Sequence, residues 1–422
     1  CMDLLWDTNP DRFKPVAESY PHDVSAILAL ECDRFTIKNL HVIHSRARGI
    51  GLDGESEDSE LLYNFVYRTF APGIRFARTT HGRCVGNTVI RPTSISMGPL
   101  DRDHVGHGPV AGLEAKSFYA PLRNKMDRKP SMEGIDGGHF KDTEIAYNEI
   151  CWGDKECILI DGNVDGLRIH HNYTHNAWNL PWVNGIGPNG YGRQQNIEID
   201  HNIGHNTGHT CTIGTEGGGF GRNVRIHHNV SWDNHWSANG VTGAWKSNAS
   251  LSHISVYNNT LFRHGHYTRN PRIPWRENRG PAGGIAVSFP RQGRRGTVED
   301  VLIANNLILQ PRDYALSLNK EGDPAINRIA FSHNMTDLAT DSERINGHNN
   351  PNWRSARDLD KNLIVTDQPV LRNPQKYDFR LFPDTLAVDG GIKIDADGKP
   401  VPGGTFYIGA FGPGARWVEV AQ

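Results

Sequence analysis

The sequence is poor in the features that would place it quickly. Only six of its 422 residues are cysteine (Cys1, Cys32, Cys84, Cys151, Cys157 and Cys211), and no pair has zinc-ribbon or CxxC spacing. They read as buried free thiols. No run approaches the ~18 apolar residues of a membrane span, which excludes an integral helical membrane protein. No signal peptide is visible at Cys1-Met2-Asp3, and the first apolar run, Ala26 to Leu30, is short. Charge of one sign is also lacking: 45 basic against 47 acidic side chains give a net charge of −2. That excludes a globally basic nucleic-acid binder, although local patches remain open. Collagen, coiled coil and wholesale disorder fail as well, because glycine has no triplet period and apolar residues recur throughout.

What is present is a repeat. One unit, apolar-x-apolar-x-x-Asn, ends at Asn148, Asn172, Asn202, Asn229, Asn259, Asn306 and Asn334. Weaker copies end at Asn64 and Asn87, and Asn39 fits one place out of register. Apart from two long insertions, successive Asn residues are 23 to 30 apart. Period-two alternation, β-branched residues at the inward sites and frequent Gly make the pieces strands rather than helices. About ten residues after most Asn comes a second short strand, as in Gly49–Leu52, Gly73–Phe76, Gly240–Thr242 and Gly284–Val287. The chain length exceeds a usual single core of about 250–300 residues. A solenoid that grows by stacking resolves this.

The expected fold is therefore all-β: a single-stranded, right-handed parallel β-helix of about ten rungs over residues 1–338. Each rung lies about 4.8 Å from the next. The Asn is expected to take the left-handed turn between strands, and its amide to pair with the next Asn. Insertions at 98–133 and 262–283 interrupt the rungs, and long loops on such scaffolds usually carry function. Residues 339–422 read as an irregular segment that caps the last rung.

Together with the ending Tyr377-Asp378-Phe379-Arg380-Leu381 … Ala387-Val388-Asp389-Gly390-Gly391 … Tyr407-Ile408-Gly409-Ala410-Phe411, the rungs resemble the β-helix superfamily of polysaccharide lyases and glycoside hydrolases. The resemblance is to an architecture and implies a carbohydrate substrate, not a mechanism. The Trp-Ile-Asp-His run of pectate lyases and the Asn-Thr-Asp…Gly-His-Asp set of polygalacturonases are absent.

The outward positions of the second strand are mostly small (Gly51, Gly187, Thr242, Ala286, Ser317), which suits a groove for an extended polymer. Larger residues stand out there: Arg75, Asp136, Asp161 and Glu216. If Ile135-Asp136-Gly137 and Ile160-Asp161-Gly162 align, the two carboxylates lie about 5 Å apart. One pKa should then rise, giving the acid and ionised partner of glycoside hydrolysis. Glu216, two rungs past Asp161, is the alternative partner at about 9–10 Å. The competing reading is that Asp-Gly only closes turns.

Asp161-Gly162-Asn163-Val164-Asp165-Gly166 matches half a calcium loop, but its twelfth position is Asn172. A turn is favoured over calcium, and no cofactor or metal is expected.

Residues 263–295 hold Arg263, Arg269, Arg272, Arg276, Arg279, Arg291, Arg294 and Arg295, with Tyr267 and Trp275 among them and only Glu277 opposed. Arg forks take carboxylate or sulfate and aromatic rings stack on sugars. An anionic polysaccharide is the expected partner, and nucleic acid the lesser reading. His171, His201, His228 and His333 precede the repeat Asn and form a column of the coil, not a ligand set. His139 and His209 fall outside it and join Arg75, Trp178, Arg269, Arg272, Trp275 and Arg276 as candidate substrate contacts.

The leading expectation is a secreted glycoside hydrolase using Asp136, Asp161 and Glu216. The alternatives are a polysaccharide lyase whose base is His139, Tyr119, Lys141 or Arg75, and a non-catalytic glycan-binding β-helix.

Overall fold

A computed structural model describes residues 25–45, 48–69, 71–92, 133–153, 156–177, 184–188, 192–214, 219–242, 250–266, 269–270, 273–277, 282–288, 297–318, 326–337, 362–364 and 369–411. The chain is a parallel β-helix with three stacked sheets. The first runs from Ser25–Leu30 and Arg48–Asp53 through Ile74–Ala77 to Gly283–Ser288 and Tyr314–Leu318. The second runs from Thr36–Lys38 to Ile326–Ser332. The third has eleven strands, from His41–Ser45 to Leu363–Ile364. Two strands, Ile135–Ala146 and Ile158–His170, turn the corner from first sheet to second without a break.

Each coil buries the same positions because alternation points every second residue inward. On the first sheet one interior column holds Ile50, Ile74, Ile135, Ile158, Ile186, Cys211, Asn239, Ile285 and Leu316, all fully buried. Asn239 is the one polar member, and neither end of its amide has a hydrogen-bond partner. Cys84, Cys151, Cys157 and Cys211 are buried free thiols, and Cys32 is half-buried.

The asparagines of the repeat form a continuous ladder at the turn between second and third sheets. From Asn64 to Asn334 each donates its side-chain amide to the Oδ1 of the Asn in the following coil, at 2.9–3.0 Å, ending on Asn362. The left-handed residue, however, is not the Asn but the one before it. Tyr63, Tyr147, His171, His201, His228, Asn258, Asn305 and His333 all have φ between 51° and 58°. This corrects the expectation that Asn supplies the turn. It also explains the register of Asn39, which has φ 57° and so is a turn residue; Leu40 takes the ladder position and donates its N–H to Asn64 Oδ1 at 3.1 Å. The side chains of the turn residues stack in turn. His171 lies on His201 and His201 on His228, each pair at 5.1 Å between ring centroids with the rings nearly parallel.

The C-terminal segment lies along the flank of the solenoid and not merely over its last coil. Val370, Leu371, Phe379, Leu381 and Ile408 pack on Val230, Trp232, Phe262, Leu307 and Leu309 of the third sheet's outer face. Asn258 and Asn305, beside the ladder, donate to the backbone of Tyr407 and Ile392. From the insertion at 262–283, a short antiparallel pair, Arg269–Asn270 with Ile273–Glu277, is described.

Candidate active site

The outer face of the first sheet carries two neighbouring columns. One contains Gly51, Arg75, Asp136, Leu159 and Gly187. The next, two residues further along each strand, contains Asp53, Ala77, Gly138 and Asp161. The two Ile-Asp-Gly stretches are thus out of register by two residues. Asp136 pairs with Leu159, and Asp161 with Gly138. Both aspartates still share one face, but diagonally, at about 7–8 Å between Cα atoms rather than one strand spacing.

Arg75 joins the columns. Its Nη1 donates to Asp136 Oδ2 at 2.7 Å and its Nε to Asp53 Oδ2 at 3.3 Å. Asp136 is 3% exposed. Burial pushes its carboxyl up to about 6, with the Arg75 guanidinium opposing. Burial works against the charge of Arg75, but Asp136 and Asp53 more than offset it and raise its pKa. Arg75 thus has a carboxyl partner on either side; while Asp136 keeps its proton, Asp53 balances the guanidinium charge.

Between Asp53 and Asp161 the outer column has only Ala77 and Gly138, which leaves a low floor bordered by Asp136. His139 follows Gly138 in the left-handed region (φ 57°). Its ring lies over Gly162, where a Cβ would stand 2.5 Å from Nε2; Gly162 itself has φ 75°. Burial, with Arg78 and Arg75, lowers the His139 pKa. Asp53, Arg75, Asp136, His139 and Asp161 therefore gather on one stretch of the sheet. Asp53 was missed in the sequence, although Leu52-Asp53-Gly54 repeats the apolar-Asp-Gly pattern of the other two.

His209 does not join them. It lies three coils on from Asp136, about 15 Å along the axis by strand spacing. Burial lowers its pKa to about 4, and its Nδ1 has no hydrogen-bond partner. Glu216, Trp178 and Arg272 lie outside the described residues, as do the side chains of Arg269, Trp275 and Arg276. Of the Arg-rich run, Arg263 is held by both oxygens of Asp233.

The calcium-like stretch from Asp161 is a strand that bends round the corner. Asn163 Oδ1 accepts from the Arg193 N–H at 3.0 Å, and Asp165 accepts from Gln195 and Asn196 at 2.8 and 2.6 Å. These oxygens are already used in joining one coil to the next. Along the turn to the third sheet, carboxylates hold histidines: Glu144 to His170 at 2.9 Å, Glu198 to His227 at 2.9 Å and Asp200 to His201 at 2.7 Å. Arg168 also grips Asp200 with two bonds of 2.9 and 2.8 Å.

No family model matches the sequence, and no curated protein matches it either. Among solved structures, the chain is similar to pectate lyase Pel9A, at 12% identity and TM-score 0.33, covering 95% of this chain and 90% of that one. It is similar to a PL6 alginate lyase in complex with a trisaccharide, at 11% identity and TM-score 0.31, covering 80% and 79%. A third is the catalytic unit of the GH87 alpha-1,3-glucanase from Streptomyces thermodiastaticus strain HF3-3, at 7% identity and TM-score 0.33, covering 78% of this chain and 60% of that one. Two of these neighbours are lyases and the third is a glucanase. Scores at this level transfer no chemistry, so the reaction has to be read from the residues of the first sheet.

Proposed function

We propose that this chain degrades polysaccharide as a glycoside hydrolase, outside the cytoplasm, with an extended polymer lying across the small residues of the first sheet. Asp136 is the proton donor and Asp161 the partner carboxylate. The observation that carries the reading is the contrast between them. Asp136 is buried beside Arg75 with a carboxyl raised to about 6. Asp161 stands diagonally across, half-buried, on the same face. A donor that keeps its proton near pH 6 and a second carboxylate is the pair that glycoside hydrolysis needs. A diagonal of about 7–8 Å between Cα atoms favours the wider carboxyl spacing of inverting enzymes over the retaining one of about 5–5.5 Å, and Gly138 and Ala77 place no large side chain between the two. Glu216, which lies outside the described residues, is kept as the substitute partner.

The Arg-rich run 263–295 supports an acidic polymer as substrate. The location follows from a polymer too large to enter cells. Among the described residues no helix is long and apolar enough to cross a membrane.

One observation favours a lyase instead. The lowered pKa of His139 keeps its imidazole uncharged near neutral pH, as a base for β-elimination must be. Against it, the Arg75 guanidinium is already taken up by hydrogen bonds to Asp136 and Asp53 and is a poor seat for a uronate. The deciding experiment incubates the protein with a panel of neutral, uronate-containing and sulfated polysaccharides. Reducing ends and the ultraviolet absorbance of unsaturated ends are followed together. Reducing ends alone support the hydrolase, and both signals together mean a lyase. Retention on a glycan without either means a binding protein.

A further inference from the structure

On the outer face of the third sheet, away from the proposed active site, three side chains of different chemistry converge. Cys151 and Glu149 are two residues apart on one strand and so point the same way. His175 is the register partner of Cys151 in the next coil. One ligand atom from each, the Cys151 thiol, a Glu149 oxygen and a His175 ring nitrogen, lie within 4.8 Å of one another. Cys151 is 2% exposed and His175 9% exposed. The Glu149 side chain is 45% exposed and leaves a route from solvent.

The distance between acid and imidazole is informative. Glu144–His170 and Glu198–His227 are close hydrogen bonds of 2.9 Å. Glu149 Oε1–His175 Nε2 is 3.4 Å, long for a charge-assisted bond. Zinc bonds of about 2.0–2.1 Å to nitrogen and oxygen give a tetrahedral edge of about 3.3 Å. The pair is thus spaced as two ligands of one ion would be.

The His175 ring is also fixed in place, stacked at 4.2 Å on Tyr173 and at 5.2 Å on His205. Its far nitrogen, Nδ1, meets the Asn176 amide at 2.9 Å. A half-turn of that amide would let its oxygen accept an Nδ1–H, losing the bond from Asn206.

We infer that Cys151, His175 and Glu149 form a binding site for a zinc-type divalent ion, with water in the fourth position. Sulfur, nitrogen and carboxylate oxygen together suit a borderline-soft ion and disfavour calcium or magnesium. On binding, the thiol gives its proton to solvent and the thiolate takes the ion.

The full chain, stripped with chelator, should take up one equivalent of Zn²⁺ or Co²⁺ and release protons as it does so. The cobalt form should show a thiolate charge-transfer band. Cys151→Ser should remove that band, and His175→Ala should weaken uptake at least tenfold. Cys32→Ser should change neither. X-ray absorption at the zinc edge of the unaltered protein should show one sulfur ligand, a readout that holds even where a variant fails to fold. Failure to retain one equivalent, a cobalt band that survives Cys151→Ser, or an edge spectrum without sulfur would overturn the assignment. None of these readouts depends on polysaccharide cleavage.

Discussion

Gly138, not Asp136, is the coil-to-coil partner of Asp161. The two aspartates therefore face each other across a diagonal, with a glycine where a second carboxylate would have crowded the first. The product of cleavage should have inverted anomeric configuration, read by proton NMR within the first turnovers. Retention would mean a closer pair than this one. Asp136→Asn and Asp161→Asn should each lower kcat by about 10²–10⁴-fold, and full activity in both would remove them from the reaction.

With Asp136 as the proposed donor, a carboxyl raised to about 6 sets the expected pH profile. Activity should fall as pH rises through about 6, because Asp136 then loses the proton it must give. Stability should move the same way. The folded chain holds this proton more tightly than the unfolded chain, whose Asp titrates near 3.8. That contribution is complete below 3.8 and is lost as pH climbs through about 6. Comparing urea midpoints of the native chain and Asp136→Asn across pH 3.5 to 7 checks the sign; a native midpoint rising relative to the variant's would contradict it.

The asparagine ladder should resist substitution far more than exposed amide contacts do. Asn229 is fully buried, donates to Ile199 and His227 carbonyls and to Asn259, and accepts from Asn202. Asn229→Ala leaves buried groups unpaired on both sides and should cost about 3 kcal/mol or more. Gln195, whose amide reaches Asp165 on the exposed surface, should cost less than about 0.5 kcal/mol when changed to Ala. Equal losses in denaturant titrations would mean that burial is not what gives the ladder its strength.

Asn239 offers the opposite case. It sits between Cys211 and Ile285 in an apolar column with both ends of its amide unpartnered. Asn239→Cys, close in volume and the residue type its neighbour Cys211 already places in this column, should raise stability by about 1–3 kcal/mol. A lower melting temperature in the variant would show that the amide is held in a way its surroundings do not reveal.

Much of the fold was legible because a solenoid repeats its constraints. The ladder Asn and the inward Ile and Val recur at one period, and each copy supports the next. Register was harder. In Ile158-Leu159-Ile160 both isoleucines point inward, so alternation fixes the face but not which of them pairs with Ile135. A slip of two residues preserves every inside and outside assignment, and that slip separated Asp161 from Asp136. The turn residue was misplaced because Tyr and His are not residues that announce a left-handed backbone. The seat of the C-terminal segment had a signal that went unread. Along the third sheet the outward column changes from Cys151, His175 and His205 to Trp232, Phe262 and Leu309. Bulky apolar side chains on an outer face need a cover.

The ladder has one more consequence. Asn87 and Asn148 are 61 residues apart, yet their amide contact is 2.9 Å, the same as between Asn148 and Asn172, which are 24 apart. Whatever the chain does between two rungs, it returns to the same clasp. An excursion can grow, shrink or be exchanged without disturbing its neighbours, so specificity could diversify in this scaffold while the spine stays unchanged.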